Sequence, residues 1–427
     1  MAEINVVPKT VIEFKQDDSI VNRDPYDEEL PDINVANPYL FQADAQGPWF
    51  KRLRDEEPVH FCREHPLGPY WSVTRYDDIM TVDTSHNIFS SEPTITMRDE
   101  EEDFQLPMFI AMYQPKHDEQ RLVVNPAVGP RSLQAFEPLI RERTADVLDG
   151  LPLGESFDWV DKVSIELTTR MLATLFDFPY EDRRKLTRWS DVSTAIPGQG
   201  IIDTEQQRRE ELVECLHYFT ELWNERVNAP PRNDFVSMLA HGSATREMQP
   251  LEFLGNLILL IVGGNDTTRN TMTASVLALH ENPAEYQKLV ADQGLIPSMV
   301  SETIRWQTPL AHMRRNVKVD TELGGKQLKA GDKVIMWYYS GNRDERFFER
   351  PDDYIIDREK VRSHIAFGFG IHRCMGNRLA EMQLRVLWEE IFKRYERIEV
   401  VGEPERSLSV FVRGFNSLPV VLHPKTW

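Results

Sequence analysis

The sequence predicts a mainly α-helical protein with small antiparallel β-sheets, folded as a single large domain. Three observations carry this. Apolar residues recur at helical spacing over most of the chain from Gly47 onward. Alternating or β-branched stretches are few and short. The 427 residues, 41% hydrophobic and 28% charged, have the composition of a soluble globular protein with a substantial core, without internal repeats or low-complexity tracts.

Residues 1–45 are rich in Asp, Pro and Asn without periodic apolar positions, so an N-terminal arm is expected there, with the main domain over 46–427. Helical spacing then marks 49–57, 76–83, 117–128, 132–151, 157–178, 205–228, 251–280 and 298–307, and a last helix is expected over 377–394. Asn228-Ala-Pro-Pro-Arg-Asn-Asp breaks the helix before it and caps another through Asp234. Strand patterns are confined to 70–74, 331–339, 398–401, 408–412 and 419–422. The acidic run Asp99 to Asp103 reads as a solvated loop, and 196–206 as a lid.

With 49 basic and 69 acidic side chains the chain carries a net charge of −20, which argues against nucleic acid as a partner, because phosphate binding draws on clustered Lys and Arg. Three cysteines, Cys62, Cys215 and Cys374, make no disulfide framework and fit a reducing compartment. No basic segment followed by an apolar run opens the chain, so neither a signal peptide nor a membrane span is expected, and the expected location is the cytoplasm.

The most informative stretch is Phe367-Gly-Phe-Gly-Ile-His-Arg-Cys-Met-Gly376, which leads straight into the last helix. A cysteine ahead of a helix N-terminus meets free backbone N–H groups and the positive end of the dipole, which favour the thiolate and suit it to hold a metal. Gly368, Gly370 and Gly376 are expected to take positive φ and let the backbone approach something flat and bulky. Phe367 is expected to cover the sulfur. A lone cysteine is more often inert packing; the spacing F-x-x-G-x-x-x-C-x-G is what singles this one out.

A second motif lies in the long helix, where the apolar run 257–262 is followed by Gly263-Gly264-Asn265-Asp266-Thr267-Thr268. Each glycine costs about 1 kcal/mol relative to alanine in a helix interior, so the pair needs a reason, either close packing or an opened ladder. A following Thr supplies a hydroxyl to the freed carbonyl, and a groove there would place an acid and an alcohol beside a small molecule. Glu302 and Arg305 are spaced i, i+3, and His117 and Arg121 i, i+4, so each pair shares a helix face.

On these motifs the sequence resembles the cytochrome P450 haem-thiolate monooxygenases, whose ligand loop reads F-x-x-G-x-(H/R)-x-C-x-G and whose oxygen-binding helix reads (A/G)-G-x-(D/E)-T-(T/S). The resemblance implies the P450 fold, with haem b between the long central helix and the cysteine loop and Cys374 as the axial iron ligand. It places His117, Arg121, Arg315 and His372 on the haem propionates, beside a cofactor cradle of Phe367, Gly368 and Gly376. It assigns Thr267 to hydrogen-bonding dioxygen and Asp266 to proton relay. Glu302, Arg305 and Arg358 become a structural triad, and Leu259, Val262, Gly263, Leu310, Ala311 and Met313 line the substrate pocket.

The implied activity is insertion of one oxygen atom of O2 into a C–H bond. The chain has no flavin or nicotinamide fingerprint and no iron–sulfur cysteine cluster, so electrons from NAD(P)H are expected through a 2Fe–2S ferredoxin and a ferredoxin reductase. Docking is expected on the cysteine face at Arg373 and Arg378, with Arg121 or Arg131. Stretches 257–269 and 367–388 resemble the bacterial terminal hydroxylases of medium-chain alkanes and fatty acids, family 153. The acidic run would repel a carboxylate, so the expected substrate is a small aliphatic molecule, a medium-chain n-alkane oxidised at its terminal carbon. The alternatives are an ω-hydroxylase of fatty acids and, in another class, a non-catalytic haem-binding protein.

Overall fold

A computed structural model describes residues 17–425; the first sixteen residues of the expected arm lie outside the described residues. From residue 17 the arm is no free extension. Its short helix α1 (Pro38–Gln42) and the residues before it bury Ile33, Val35, Leu40 and Phe41 in one core cluster with Phe50 and Trp337. The arm follows the surface of a sheet rather than a helical period, so its apolar residues show no regular spacing.

That sheet has five strands in the order β1 (Val59–Cys62), β2 (Tyr70–Val73), β8 (Lys333–Met336), β5 (Met313–Val317) and β3 (Phe89–Ser90). Its pairs are antiparallel except β2 with β8. The helices α2 (Gly47–Glu56), α3 (Tyr76–Thr84) and α13 (Tyr338–Gly341) accompany it. A second sheet orders β4 (Phe157–Asp158), β12 (Pro419–Pro424) and β9 (Tyr395–Val400), and two small pairs join β6 (Thr321–Leu323) with β7 (Lys326–Leu328) and β10 (Glu405–Arg406) with β11 (Phe415–Ser417).

The remaining helices are α4 (Lys116–Val124), α5 (Pro130–Asp149), α6 (Glu166–Phe176), α7 (Arg184–Thr194), α8 (Glu205–Val227), α9 (Phe235–His241), α10 (Pro250–Glu281), α11 (Pro283–Ala291), α12 (Ile296–Gln307) and α14 (Asn377–Arg394). With 32 residues α10 is the axis of the molecule, about 48 Å long at 1.5 Å per residue. Its first half contributes Leu254, Leu257 and Ile261 to a core with Phe176, Trp189 and Phe219. Its second half contributes Met272, Val276 and Leu279 to a core with Ile304, Leu387 and Trp388. A helix packed in the core on one side and facing an apolar cavity on the other loses its amphipathic signature, which is why the 257–262 run is apolar without interruption.

Several elements depart from the expected pattern. Residues 157–158 form β4 against Val420 and Pro419, and a π-helical segment, Val160–Ile165, precedes α6, so the helix expected from 157 starts late. The segment 408–412 makes only one bridge, Val412 to Leu310. There Ser409 Oγ accepts the N–H groups of Phe411 and Val412 at 3.1 Å, replacing a ladder by a side-chain turn. Strand β5, which holds Arg314 and Arg315, lies outside the expected strand patterns, the two charges masking its alternation. Helices α7 and α11 were not anticipated: α11 buries only Leu289, and α7 presents a narrow stripe of Leu186, Trp189 and Val192.

Candidate active site

A cavity of about 400 Å³ lies between α10 and the loop before α14. Leu259, Val262, Gly263 and Thr267 of α10 form one wall; Phe367, Gly368, Cys374 and Gly376 form the other; Leu310 and Met313 close a flank. Ala311 is a correction: fully buried, it joins the core cluster of Phe41 and Trp337 and takes no part in the cavity. The backbone between Leu310 and β5 is irregular, so neighbouring side chains there leave on different sides.

The cysteine loop is shaped by two glycines rather than three. Gly368 (φ 63°) and Gly370 (φ 67°) occupy the left-handed region, and a Cβ on Gly370 would stand 2.5 Å from the carbonyl oxygen of Asp83. Gly376 has φ −90° and caps α14; a Cβ there would meet nothing within 4 Å, as on Gly263 across the cavity. Cys374 N donates to Phe367 O at 2.9 Å, and the residue is deep in the fold yet accessible because it opens onto the cavity. Burial pushes its thiol up, against the N–H groups of Gly376 and Asn377 and the charges of Arg121 and Arg373, which favour the thiolate. The helix terminus alone therefore does not lower the thiol as the sequence led us to expect; a metal bound at the sulfur would take the proton's place.

Around the rim, His117 Nδ1 sits 2.6 Å from Asp118 Oδ1 while its buried Nε2 has no partner. His372 Nε2 lies 2.9 Å from Ser91 Oγ while its buried Nδ1 has none. The two rings stand 4.3 Å apart, and burial lowers both pKa values. Arg121, one turn on from His117, donates to Arg373 O, and Arg315 Nη2 donates to Asp83 Oδ1 at 2.6 Å. Asp83 also accepts from Tyr338 Oη (2.9 Å) and Phe369 N (2.6 Å), so it fastens Arg315 to the cysteine loop. Sequence reasoning missed Asp83, because an acid near the end of an amphipathic helix looks like a solvated charge.

These features test the fit of a haem. Two buried imidazole nitrogens without partners stand beside the guanidinium groups of Arg121 and Arg315, which suits carboxylates at a ligand's edge. The missing Cβ atoms of Gly263 and Gly376 leave open space on the two facing walls, and a cysteine sulfur faces that space. A flat metal-centred dicarboxylate fits this donor set.

On α10 the two glycines have different reasons. A Cβ on Gly264 would press within 2.7 Å of Leu172 Cδ2, so Gly264 serves packing against α6, whereas Gly263 opens onto the cavity. Thr267 faces the cavity and its Oγ1 donates to Gly263 O at 3.0 Å. Asp266, the next residue back, is turned by about 100° around the helix and is fully buried behind the wall. Its Oδ1 accepts from Ser190 Oγ (3.0 Å), Asn265 Nδ2 (2.9 Å) and Arg269 Nη2 (3.1 Å); Oδ2 has no partner. Burial raises its carboxyl pKa. The acid and the alcohol thus do not share one groove.

Behind the cysteine loop Glu302 takes Arg305 Nε (2.7 Å) and Nη2 (2.8 Å), Arg358 Nε (3.1 Å) and Ile355 N (2.8 Å). All three side chains are buried, and removing one partner of such a group costs about 3–5 kcal/mol. The acidic run is a loop with exposed side chains, as expected, but three of its five acids are ion-paired: Asp99 with Arg314 and Lys333, each at 2.6 Å, and Glu101 and Asp103 with Arg209. This pairing weakens the repulsion of a carboxylate expected from it.

A model of the cytochrome P450 family matches residues 153–410. Linalool 8-monooxygenase of Pseudomonas putida is 34% identical over 409 residues, 93% of this chain and 100% of that protein. The methyl-branched lipid omega-hydroxylase of Mycobacterium bovis is 30% identical, covering 90% of this chain and 92% of that one. The solved structure of cytochrome P450-153 from Novosphingobium aromaticivorans superposes with a TM-score of 0.86 at 48% identity, over 91% of this chain and 99% of that one. Among the described residues no helix is long and apolar enough to cross a membrane.

Proposed function

The chain belongs to the cytochrome P450 family, alongside P450-153, and from that premise we propose that this monooxygenase hydroxylates the terminal carbon of a medium-chain n-alkane. The observation that carries the reading is the apolar lining of the cavity, where Leu259, Val262, Leu310 and Met313 join Thr267 and Cys374. Haem b, which Cys374 would hold through its sulfur, would supply the activation of dioxygen and the oxidising power. His117, Arg121, Arg315 and His372 would hold its carboxylates, and Phe367, Gly368 and Gly376 would shape the space it occupies.

The chain's own part is to bind, orient and exclude water. A hydrocarbon gains about 0.8 kcal/mol per buried CH2, and Leu259, Val262, Leu310 and Met313 offer it an apolar surface. Thr267 holds a hydroxyl over the cavity, and Asp266 is the proton carrier behind it. A second reading, ω-hydroxylation of a fatty acid, is favoured by the guanidinium groups of Arg98, Arg208 and Arg209 among the cavity's residues. Each already has a carboxylate partner, which leaves the neutral chain preferred.

Titrating the haem-loaded enzyme with n-octane and with octanoate separates the two, the Soret band reporting displacement of water. Octane is expected to give the larger high-spin shift and the tighter binding, with terminal octanol formed when electrons are supplied. Tighter binding of octanoate, growing as salt is lowered, would move the assignment to fatty acids; absence of both NAD(P)H use and octanol would point to a non-catalytic role.

Electrons reach P450 enzymes from redox partners, and we assign that partner here to a 2Fe–2S ferredoxin served by its reductase. Arg362, Arg373 and Arg378 are exposed near the cysteine loop, all three act on the charge of Glu381, and no carboxylate pairs with them among the described residues. On a chain of net charge −20 they form a local basic patch for an acidic carrier. Arg378→Glu is expected to slow ferredoxin-driven turnover about tenfold at low salt and flatten its salt dependence, with haem content and octane binding unaltered. Unchanged turnover and salt response would remove this face from consideration.

A further inference from the structure

One wall of the cavity does not come from a helix. Residues 106–111 cross the front of α10 as an irregular strip ending in a 3-10 turn, Phe109–Ala111, and Leu106, Met108, Phe109 and Ile110 line the cavity. Such a strip brings few hydrogen bonds of its own, so its position must be set from outside.

Two adjacent residues of α10 do this. A Cβ on Gly255 would lie 2.3 Å from Pro107 O and 2.8 Å from Leu106 O, both backbone atoms that cannot turn aside. Only glycine lets the strip lie this close. Asn256, fully buried, accepts the N–H of Phe109 at 2.9 Å and donates through Nδ2 to Gln120 Oε1 at 3.1 Å, with Met248 Sδ at 3.2 Å. Gln120 in turn donates to Glu252 Oε1 at 2.5 Å, and Lys116 pairs with the same carboxylate at 2.8 Å. Gln120 sits on α4 between His117 and Arg121. A leucine would fill this place in an apolar helix at less desolvation cost, so a buried amide with every polar atom engaged specifies a register rather than adding bulk.

We infer that Gly255 and Asn256 are positioning residues that fix the 106–111 strip as the wall deciding how far an aliphatic chain reaches into the cavity, and hence which carbon is oxidised. Through Gln120 the same amide ties that wall to α4, the helix bearing His117 and Arg121. The consequence for oxidised position rests on the hydroxylase reading; the fixing of the wall does not.

Three measurements on the haem-loaded enzyme test it with Gly255→Ala and Asn256→Leu. Amide exchange over 106–111 is expected to quicken about tenfold in Asn256→Leu, which leaves the Phe109 N–H buried without an acceptor. The ratio of terminal to subterminal octanol is expected to fall about tenfold in Gly255→Ala, whose added methyl displaces the strip bodily, at unchanged haem content. Affinity for phenylimidazole, whose ring must fit against the same wall, is expected to change in both variants. If the parent enzyme makes no octanol, the hydroxylase reading fails while exchange and phenylimidazole affinity still decide the wall. Unaltered exchange and affinity in both variants overturn the inference, and so does an unaltered product ratio in a strip shown to be loosened.

Discussion

Replacing Cys374 by serine is expected to leave a folded chain that has lost the spectroscopic mark of thiolate ligation and nearly all turnover. The fold survives because Cys374 is held by its backbone, N donating to Phe367 O at 2.9 Å. Its side chain faces the Gly376 and Asn377 N–H groups and the cavity, and a serine oxygen accepts those N–H groups equally well. What serine cannot supply is the electron-rich sulfur that favours O–O cleavage. A loss of roughly a thousandfold in turnover, about 4 kcal/mol of barrier, is expected. The check is the Soret band of the reduced carbonmonoxy form, with the melting temperature as control. A serine variant that keeps the red-shifted band and the turnover would dismiss Cys374 as the ligand, and a variant that fails to fold would show that the sulfur also carries packing, which alanine and serine together resolve.

Why so much of this site was legible, and why some of it was not, follows from how far apart the cooperating residues lie. The cysteine loop and the Gly-Gly-Asn-Asp-Thr-Thr segment concentrate their chemistry within ten residues, and local spacing alone marks them. Glu302 and Arg305 could be paired by helical geometry, while Arg358, which completes the triad across 56 residues, came only through resemblance. Nothing local ties Asp83 to Arg315, 232 residues later, or Asn256 to Phe109 and Gln120. The acidic run misled on charge for the same reason: its partners Arg209, Arg314 and Lys333 are far along the chain, and a charge run without visible partners looks unpaired. Spacing predicts which residues share a face; it does not predict what that face meets. That is how Asp266 and Thr267, adjacent in sequence, came to be read as one groove when the helix turns them to opposite tasks.

That separation of tasks leads to an expected result for Asp266→Asn. The carboxylate lies behind the cavity wall, between Thr267 and α7, where Ser190, Asn265 and Arg269 hold Oδ1 and leave Oδ2 without a partner. Arg269 also reaches Asp191, whose side chain is 26% exposed, so a line of polar groups runs from solvent to Asp266 and stops one residue short of the cavity. Burial raises the carboxyl above its ordinary 3.8, which suits a group that must take a proton as well as give it. Asparagine keeps the shape and the Ser190 contact, and Asp191 remains to balance Arg269, so the fold and the octane-induced spectral shift are expected to persist. Turnover is expected to fall about a hundredfold with a larger solvent isotope effect, the signature of a proton step made slow. The pH dependence supplies a second reading. A carboxyl whose pKa is raised on folding makes the folded state bind more protons, so the contribution of Asp266 to stability is lost as pH rises from 3.8 through the raised value. In the asparagine variant that contribution is expected to be absent, so the difference in melting temperature between parent and variant is expected to change over this range. A variant with the parent's turnover and isotope effect would take Asp266 out of proton delivery, whereas lost turnover with an unchanged isotope effect would make its bond network, rather than its proton, the part that matters.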